Sequence, residues 1–399
     1  MKKLLGLFLL VCNINASDTT LVQVAGSPFA SGTGPNAIAI TAVLTSGKVF
    51  AAVANSTDGT VSIYDVNNST GNFTEVSGSP FATGNGPAGV AFTFPTIINP
   101  NVFLALTDSV DNTVSVFTVN QDTGSLTSVA GSPFNTGSNP TGIAFKQDIT
   151  TGNIFAAITN LNSNNISVYS VNPITGLFTP VSGSPFAAGT NPNSIAFTTS
   201  LTSGKTFAAA ANFSDSTVSV YEVNTTTGNF TPVSNSPFVT GASPNSIAFS
   251  SNLTSGNLFA AVANSGDGTV SVYDVNTTTG EFTSVTGSPI SAGTSPFSIA
   301  FTRNVSAQGL FAAVANLDSN NISLYRVNQI TGEFTPLRNS PFAAGTHPTA
   351  IAFAPFSPFV AAANFVTSNI SVFRLVSAAR ICTEPSDLLT KAIRQKYAV

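Results

Sequence analysis

The sequence predicts an all-β chain, a seven-bladed β-propeller of four-stranded antiparallel blades that the N-terminal strand closes by completing the last blade. Three observations lead there. A Ser-Pro pair followed by Phe or Ile recurs at Ser27, Ser79, Ser132, Ser184, Ser236, Ser288 and Ser340, at intervals of 52 or 53 residues. Each interval holds several short apolar runs, and such self-similarity marks a repeat architecture. The two chain ends each carry only part of a repeat, and the parts are complementary.

The fifth copy shows the elements in order. Ser246–Phe249 is strand a and Leu258–Ala263 is strand b, both nearly continuous apolar runs, as expected of strands covered on both faces. Strand c, Thr269–Tyr273, and strand d, Glu281–Val285, alternate apolar with polar residues, as half-buried strands do. Asp267-Gly268 supplies a hairpin turn between b and c, because Gly reaches positive φ without steric cost. Asn276 to Gly280 turns the chain from c to d, and a Gly-x-x-Pro turn leads into the next strand a. Four short antiparallel strands per repeat make a propeller blade, whereas the coils of a β-solenoid are shorter and pair in parallel. Residues 20 to 29 match strand d alone, and the last copy stops after strand c at Ile370-Ser371-Val372. Pairing the two ends completes a seventh blade and removes open edges.

Apolar residues make up 42% of the 399 residues and charged residues only 8%, against about 25% in typical soluble domains. The core is therefore amply supplied, and the surface must be built from Ser, Thr, Asn and Gly. Lys2 and Lys3, the apolar run Leu4 to Val11 and the segment ending at Ala16 read as a secretory leader, residues 1–16. The expected location is exported: periplasmic, cell-surface or extracellular. A lipoprotein reading through Leu9-Leu10-Val11-Cys12 stands beside simple cleavage, and eight apolar residues are too few to span a bilayer. Loss of the leader leaves Cys382 alone, so no intrachain disulfide is expected. It also deepens the formal charge from −4 to −6. That balance argues against nucleic acid and against electrostatic docking on anionic lipid. The propeller is expected over residues 17–375, as a monomer. The tail 376–399 is richer in basic residues and places Leu388, Leu389, Ala392 and Ile393 on one face of a short candidate helix.

The segment Val262 to Asn276, with its Asn264-Ser265-Gly266-Asp267-Gly268-Thr269-Val270-Ser271-Val272-Tyr273 centre, resembles the YVTN propeller repeat. With Thr279-Gly280-Glu281-Phe282-Thr283 following, the chain is similar to the lactonase family typified by 6-phosphogluconolactonase, over nearly all of residues 20 to 375. The resemblance implies the propeller fold and, for the family's enzymes, His, Arg and Glu side chains around the channel mouth. This chain departs from that pattern, for it has one His and no cluster of cations.

Topology sorts the few charges. The d–a and b–c connections share one face, called upper here, and the a–b and c–d connections share the lower face. The upper face is the expected ligand face. It receives His347 and the candidate binding residues Asp58, Asp108, Asp111, Asp215, Asp267 and Asp318. Lys48, Lys146, Lys205, Arg303, Arg326 and Arg374 fall on the other side. His347 is the one candidate general base, with no orienting partner local in sequence. The aspartates also suit ordinary turn chemistry. No metal-spaced His or Cys set and no phosphate loop occurs, so no cofactor is expected. The leading functional expectation is an exported binding scaffold for a neutral or basic partner, such as a glycan or a protein segment. The alternative is a lactonase-like hydrolase acting near His347.

Overall fold

The computed structural model describes residues 19–250, 256–302 and 309–377. The leader, residues 378–399 of the tail, Cys382 and Arg303 lie outside the described residues, while residues 376 and 377, expected in the tail, continue the last strand c. Seven antiparallel sheets stand around a channel, each in the order a-b-c-d from the channel outward. In the fifth blade these strands are Pro244–Phe249, Phe259–Asn264, Thr269–Val275 and Phe282–Ser284. Among the described residues no helix is long and apolar enough to cross a membrane.

Strand d differs from the simple expectation in one respect: it is broken. After Phe282–Ser284 a second piece, Ile290–Ser291, returns to the same edge of strand c. The Ser-Pro pair sits at the break in every blade, with a cis peptide bond. Its physical use is a hydrogen bond. The Ser288 hydroxyl accepts the Val272 N–H at 2.8 Å, where a ladder carbonyl is missing. Ser79, Ser132, Ser184, Ser236 and Ser340 do the same in their blades, and Ser27 does so for Val372. The most regular feature of the sequence therefore repairs a gap in the outer strand.

Seven apolar clusters fill the seven gaps between blades. Strand b is buried on both faces, and its Ala residues let adjacent sheets approach while one Phe per strand fills the gap. Phe207 is fully buried, and Gly280 of the next blade's c–d turn lies over its ring. A Cβ on Gly280 would stand 2.6 Å from the Phe207 ring, and φ there is +78°, so Gly is required twice over. The tyrosines of strand c tie neighbouring blades. Tyr64, Tyr169, Tyr221, Tyr273 and Tyr325 each donate to a carbonyl in the preceding blade's broken strand d.

The ring closes as the end repeats require. Thr19–Gln23 pairs with the last strand c, Asn369–Ser377, and Phe29–Ala30 pairs with its other end. Leu21 joins the cluster between the sixth and seventh blades, and Val24 joins that between the seventh and first. Thr349 of the last blade donates to the Pro35 carbonyl of the first at 2.9 Å.

Candidate functional site

The d–a loop of each blade packs on the b–c turn that follows it, which fixes the upper face. Ser56 N–H donates to the Gly34 carbonyl and Thr57 N–H to that of Thr33. Most of the predicted aspartates serve this contact. Asp58, Asp215 and Asp267 accept the main-chain N–H of Thr33, Thr190 and Ala242 respectively. Asp111 accepts both the N–H and the side-chain amide of Asn85, which hold its carboxyl below the usual range. Ser163 and Ser319 take the same role in other blades, with hydroxyls in place of carboxylates. Four of the six candidate aspartates therefore cap loops, and they remain exposed negative charges on this face.

Asp108 occupies a different place, the end of strand b, where the other six blades have Asn. In those blades the buried amide donates to a Ser two residues into strand c, as Asn264 does to Ser271 at 2.9 Å. A carboxylate cannot donate, so Ser115 and Thr113 turn their hydroxyls onto Asp108 at 2.8 and 3.1 Å, and Gly84 N–H adds a third bond at 3.1 Å. The side chain is fully buried. Burial pushes its carboxyl up to about 6, outweighing the Ser115, Thr113 and Gly84 hydrogen bonds that favour the charge.

A raised carboxyl binds more protons folded than unfolded, so stability is greatest below the unfolded pKa and falls as pH rises through about 6. Asp108→Asn restores the repeat's own amide and is expected to stabilise the protein at pH 7.5 by about 1–3 kcal/mol, taking about 1.4 kcal/mol per pKa unit as the scale. The gain should shrink toward pH 4. Melting curves of parent and variant at both pH values check this, and a gap that does not narrow at pH 4 would contradict it.

Asp318 is set apart from the loop-capping aspartates. It lies one position earlier in its turn, at the place of Thr57 and Gly266, and its side chain points toward the neighbouring d–a loops. One carboxylate oxygen accepts the Ser295 hydroxyl, and the other stands 3.9 Å from His347 Nε2. His347 and Ser295 hold equivalent positions in consecutive repeats, both at positive φ. His347 N–H donates to Asn320 Oδ1 at 2.8 Å, and its carbonyl accepts Phe365 N–H at 2.9 Å. The side chains of His347 and Asp318 are about half exposed, at 43% and 50%. Half-buried Leu317 and Phe365, each following the terminal Asn of its strand b, flank this sector. His347 thus has a carboxylate nearby, supplied by the preceding blade, at a distance longer than a direct hydrogen bond. Aligning the seven b–c turns singles out Asp318, the one turn acid out of step with the others, although not its partner.

Around the mouth the second residues of the strands a are neutral: Asn36, Ala88, Thr141, Asn193, Asn245, Phe297 and Thr349. Several reach across to the next blade, as Asn193 does to the Asn245 side chain at 2.9 Å. No described cation lies on this face. Lys48 and Lys205 pair with Asp65 and Glu222 at the far ends of their blades, at 2.7 and 2.8 Å. No group of His, Cys, Asp and Glu suited to a metal occurs among the described residues. A cavity of about 480 Å³ opens on the lower face beside Asn99, Gly152, Ser170 and Thr226, but no ionisable side chain lines it. The His347 sector is therefore the better place for chemistry.

These features are those of a known class. The chain matches the family described as lactonase, 7-bladed beta-propeller, over residues 9–197 and 185–353, and it belongs to that family. Among solved structures it is similar to a Bacteroides fragilis protein provisionally assigned as a 6-phosphogluconolactonase. That likeness has 17% identity and a TM-score of 0.62, and covers 85% of this chain and 98% of that one. A counterpart from Bacteroides uniformis, with the same provisional assignment, gives 19% identity and a TM-score of 0.61 over 86% and 95% of the two chains. The periplasmic gluconolactonase of Pseudomonas aeruginosa gives 17% and 0.59, over 78% and 86%. A comparison with curated proteins gives no match. At such identities the structural likeness speaks for the fold. The family match favours the hydrolase alternative over the binding scaffold that composition and short loops first suggest.

Proposed function

We propose that this chain is an exported lactone hydrolase whose reaction centre is the His347–Asp318 pair at the upper channel mouth. The observation that carries the reading is the approach of Asp318 to His347 Nε2, in a chain of the lactonase family. With Nε2 turned to the carboxylate, Nδ1 is left to accept a proton from water. The water oxygen adds to the lactone carbonyl, and Asp318 stabilises the imidazolium formed in that step. Collapse of the tetrahedral adduct breaks the ring C–O bond, and the imidazolium returns its proton to the departing alkoxide. The product is the open hydroxy acid. Ser295 acts through Asp318, holding one carboxylate oxygen so that the other faces the imidazole.

The electrostatics of the face select the substrate. A phosphorylated lactone needs Arg or Lys to hold its dianion. Asp58, Asp111, Asp215, Asp267 and Asp318 lie on the turns of this face instead, so the substrate in this reading is uncharged or cationic. The leader supports export, and a periplasmic neighbour in the same fold agrees with it.

Rates with gluconolactone and with its 6-phosphate test the reading together. The expected kcat/KM is at least tenfold higher for the uncharged lactone, and added salt should narrow the gap by screening the acidic face. A preference for the phosphate would contradict the assignment of the face.

A further inference from the structure

We propose that the His347 site takes lactones carrying an apolar substituent, which Phe297, Leu317 and Phe365 hold beside the imidazole. The inference rests on the lactone-hydrolase reading and names its substrate class. These three side chains are half-buried and gathered in one sector of the upper mouth. None of them joins an inter-blade cluster among the described residues. Strand a of the sixth blade gives Ile299, Ala300 and Phe301 to the flanking clusters and leaves Phe297 out. Leu317 and Phe365 likewise stand outside the clusters on either side of their blades.

Main-chain bonds fix two of them. Leu317 N–H donates to the Ser295 carbonyl and Phe365 N–H to that of His347, each at 2.9 Å. The Phe365 ring extends to the next d–a loop, where a Cβ on Gly34 would stand 3.2 Å from it. Gly34 is the counterpart of His347, so the repeat places Leu317, one blade earlier, in the same relation to His347. Phe297 approaches from the channel. Its counterparts reach the next blade's strand a: Asn36 donates to the Ala88 carbonyl at 3.2 Å, and Thr141 to that of Asn193 at 2.9 Å. The same reach carries Phe297 toward Thr349, which follows His347 and Pro348. A phenyl ring has no N–H or O–H to make such a bridge, so its apolar surface is left to the mouth.

The other sectors are built differently. Ser56, Ser109 and Ser265 take the place of Leu317 in the first, second and fifth blades, and their hydroxyls donate to d–a carbonyls. Leu161 and Phe213 repeat the apolar pair across the third and fourth blades, yet Thr141 stands there for Phe297 and Asn191 for His347. The Asn191 side chain is engaged already, by the Leu161 carbonyl and the Ser214 hydroxyl. Among the described residues, only the His347 sector joins an imidazole to three apolar walls. Apolar walls around a few placed polar groups are the usual build of a small-molecule site. A polyhydroxylated ring would press hydroxyls against Phe297, Leu317 and Phe365 without partners, since the Ser295 hydroxyl already bonds Asp318. An alkyl substituent fits the same walls, and each methylene it buries adds about fourfold in affinity.

Hydrolysis by the parent, and equilibrium dialysis with the His347→Asn variant, test this with δ-decalactone and δ-valerolactone. The two share a ring and differ by a pentyl tail. Both kcat/KM and affinity are expected to be at least about tenfold higher for δ-decalactone. Phe297→Asn combined with Leu317→Ser should bring the two lactones level in both assays. Each change installs a residue that another blade keeps at that place, Asn245 and Ser265, so the melting curve should hold. Leu161→Ser, in the third blade, should leave the preference as it is. Equal kcat/KM and equal affinity for the two lactones overturn the proposal and leave the His347 chemistry standing. A preference that survives the double variant, or one that Leu161→Ser also removes, overturns it too, by placing the tail elsewhere. Tail-dependent binding that the double variant abolishes, with no turnover of either lactone, upholds the apolar site and overturns the hydrolase reading alone.

Discussion

Deletion of residues 17–29 is expected to abolish cooperative folding of the propeller and to drive the chain into aggregates. The segment carries nearly all of the seventh blade's broken strand d, Thr19–Gln23 and Phe29. Its removal uncovers the edge of Asn369–Ser377 along most of its length. It also withdraws Leu21 and Val24 from two inter-blade clusters and the Phe29 ring from its stack on Phe73 at 5.6 Å. Each fully buried aliphatic side chain is worth about 1.5–3 kcal/mol. The two such losses at Leu21 and Val24, with partly buried Phe29 and the Ser27 and Val24 bonds to Val372, amount to a large share of the stability of an ordinary domain, about 5–15 kcal/mol. An unpaired strand edge is moreover a template for association. Thermal melts and size-exclusion chromatography read the outcome. Appending residues 17–30 after Ser377, through a copy of the Asn276–Gly280 turn, should restore a monomer with a sharp transition. A truncated chain that melts like the parent would show that the clasp does not close the ring.

Much of this fold is written in the repeats, because a propeller repeats its local physics seven times. Strand alternation, turn glycines and the complementary ends all follow from residue pattern alone. The broken strand d was harder to see. Nothing in Ser288-Pro289-Ile290 announces that the Ser hydroxyl will take the place of a carbonyl, because that bond depends on Val272 of another strand. The site was legible only by half. His347 stands out as the lone imidazole, and the turn role of Asp58 and Asp267 follows from the Gly beside each. The partnership of His347 with Asp318 and Ser295 joins three separate loops of two adjacent blades, so no local spacing encodes it. In sequence Asp108 sorts with the surface acids because it falls near a turn. Its burial depends on the register of strand b, which places it where the other blades keep a buried Asn.

The largest effect on activity is expected at His347. The residue sits at φ +54°, a conformation that Asn tolerates better than most side chains, and Asn139 and Asn191 already occupy the equivalent positions of other blades. His347→Asn should therefore leave the fold intact while removing the one group that can take a proton from water. A positioned general base contributes about 10²–10⁴-fold to rate. Asp318→Asn, which keeps the shape but not the charge, should cost less, on the order of tenfold, because the imidazole remains. The most direct measurement is the initial rate of gluconolactone opening, corrected for spontaneous hydrolysis, for the parent and His347→Asn at matched melting temperature. The account predicts clear turnover by the parent and a loss of at least a hundredfold in kcat/KM for the variant. Equal rates for the two proteins, or no turnover by the parent on any uncharged lactone, would contradict it.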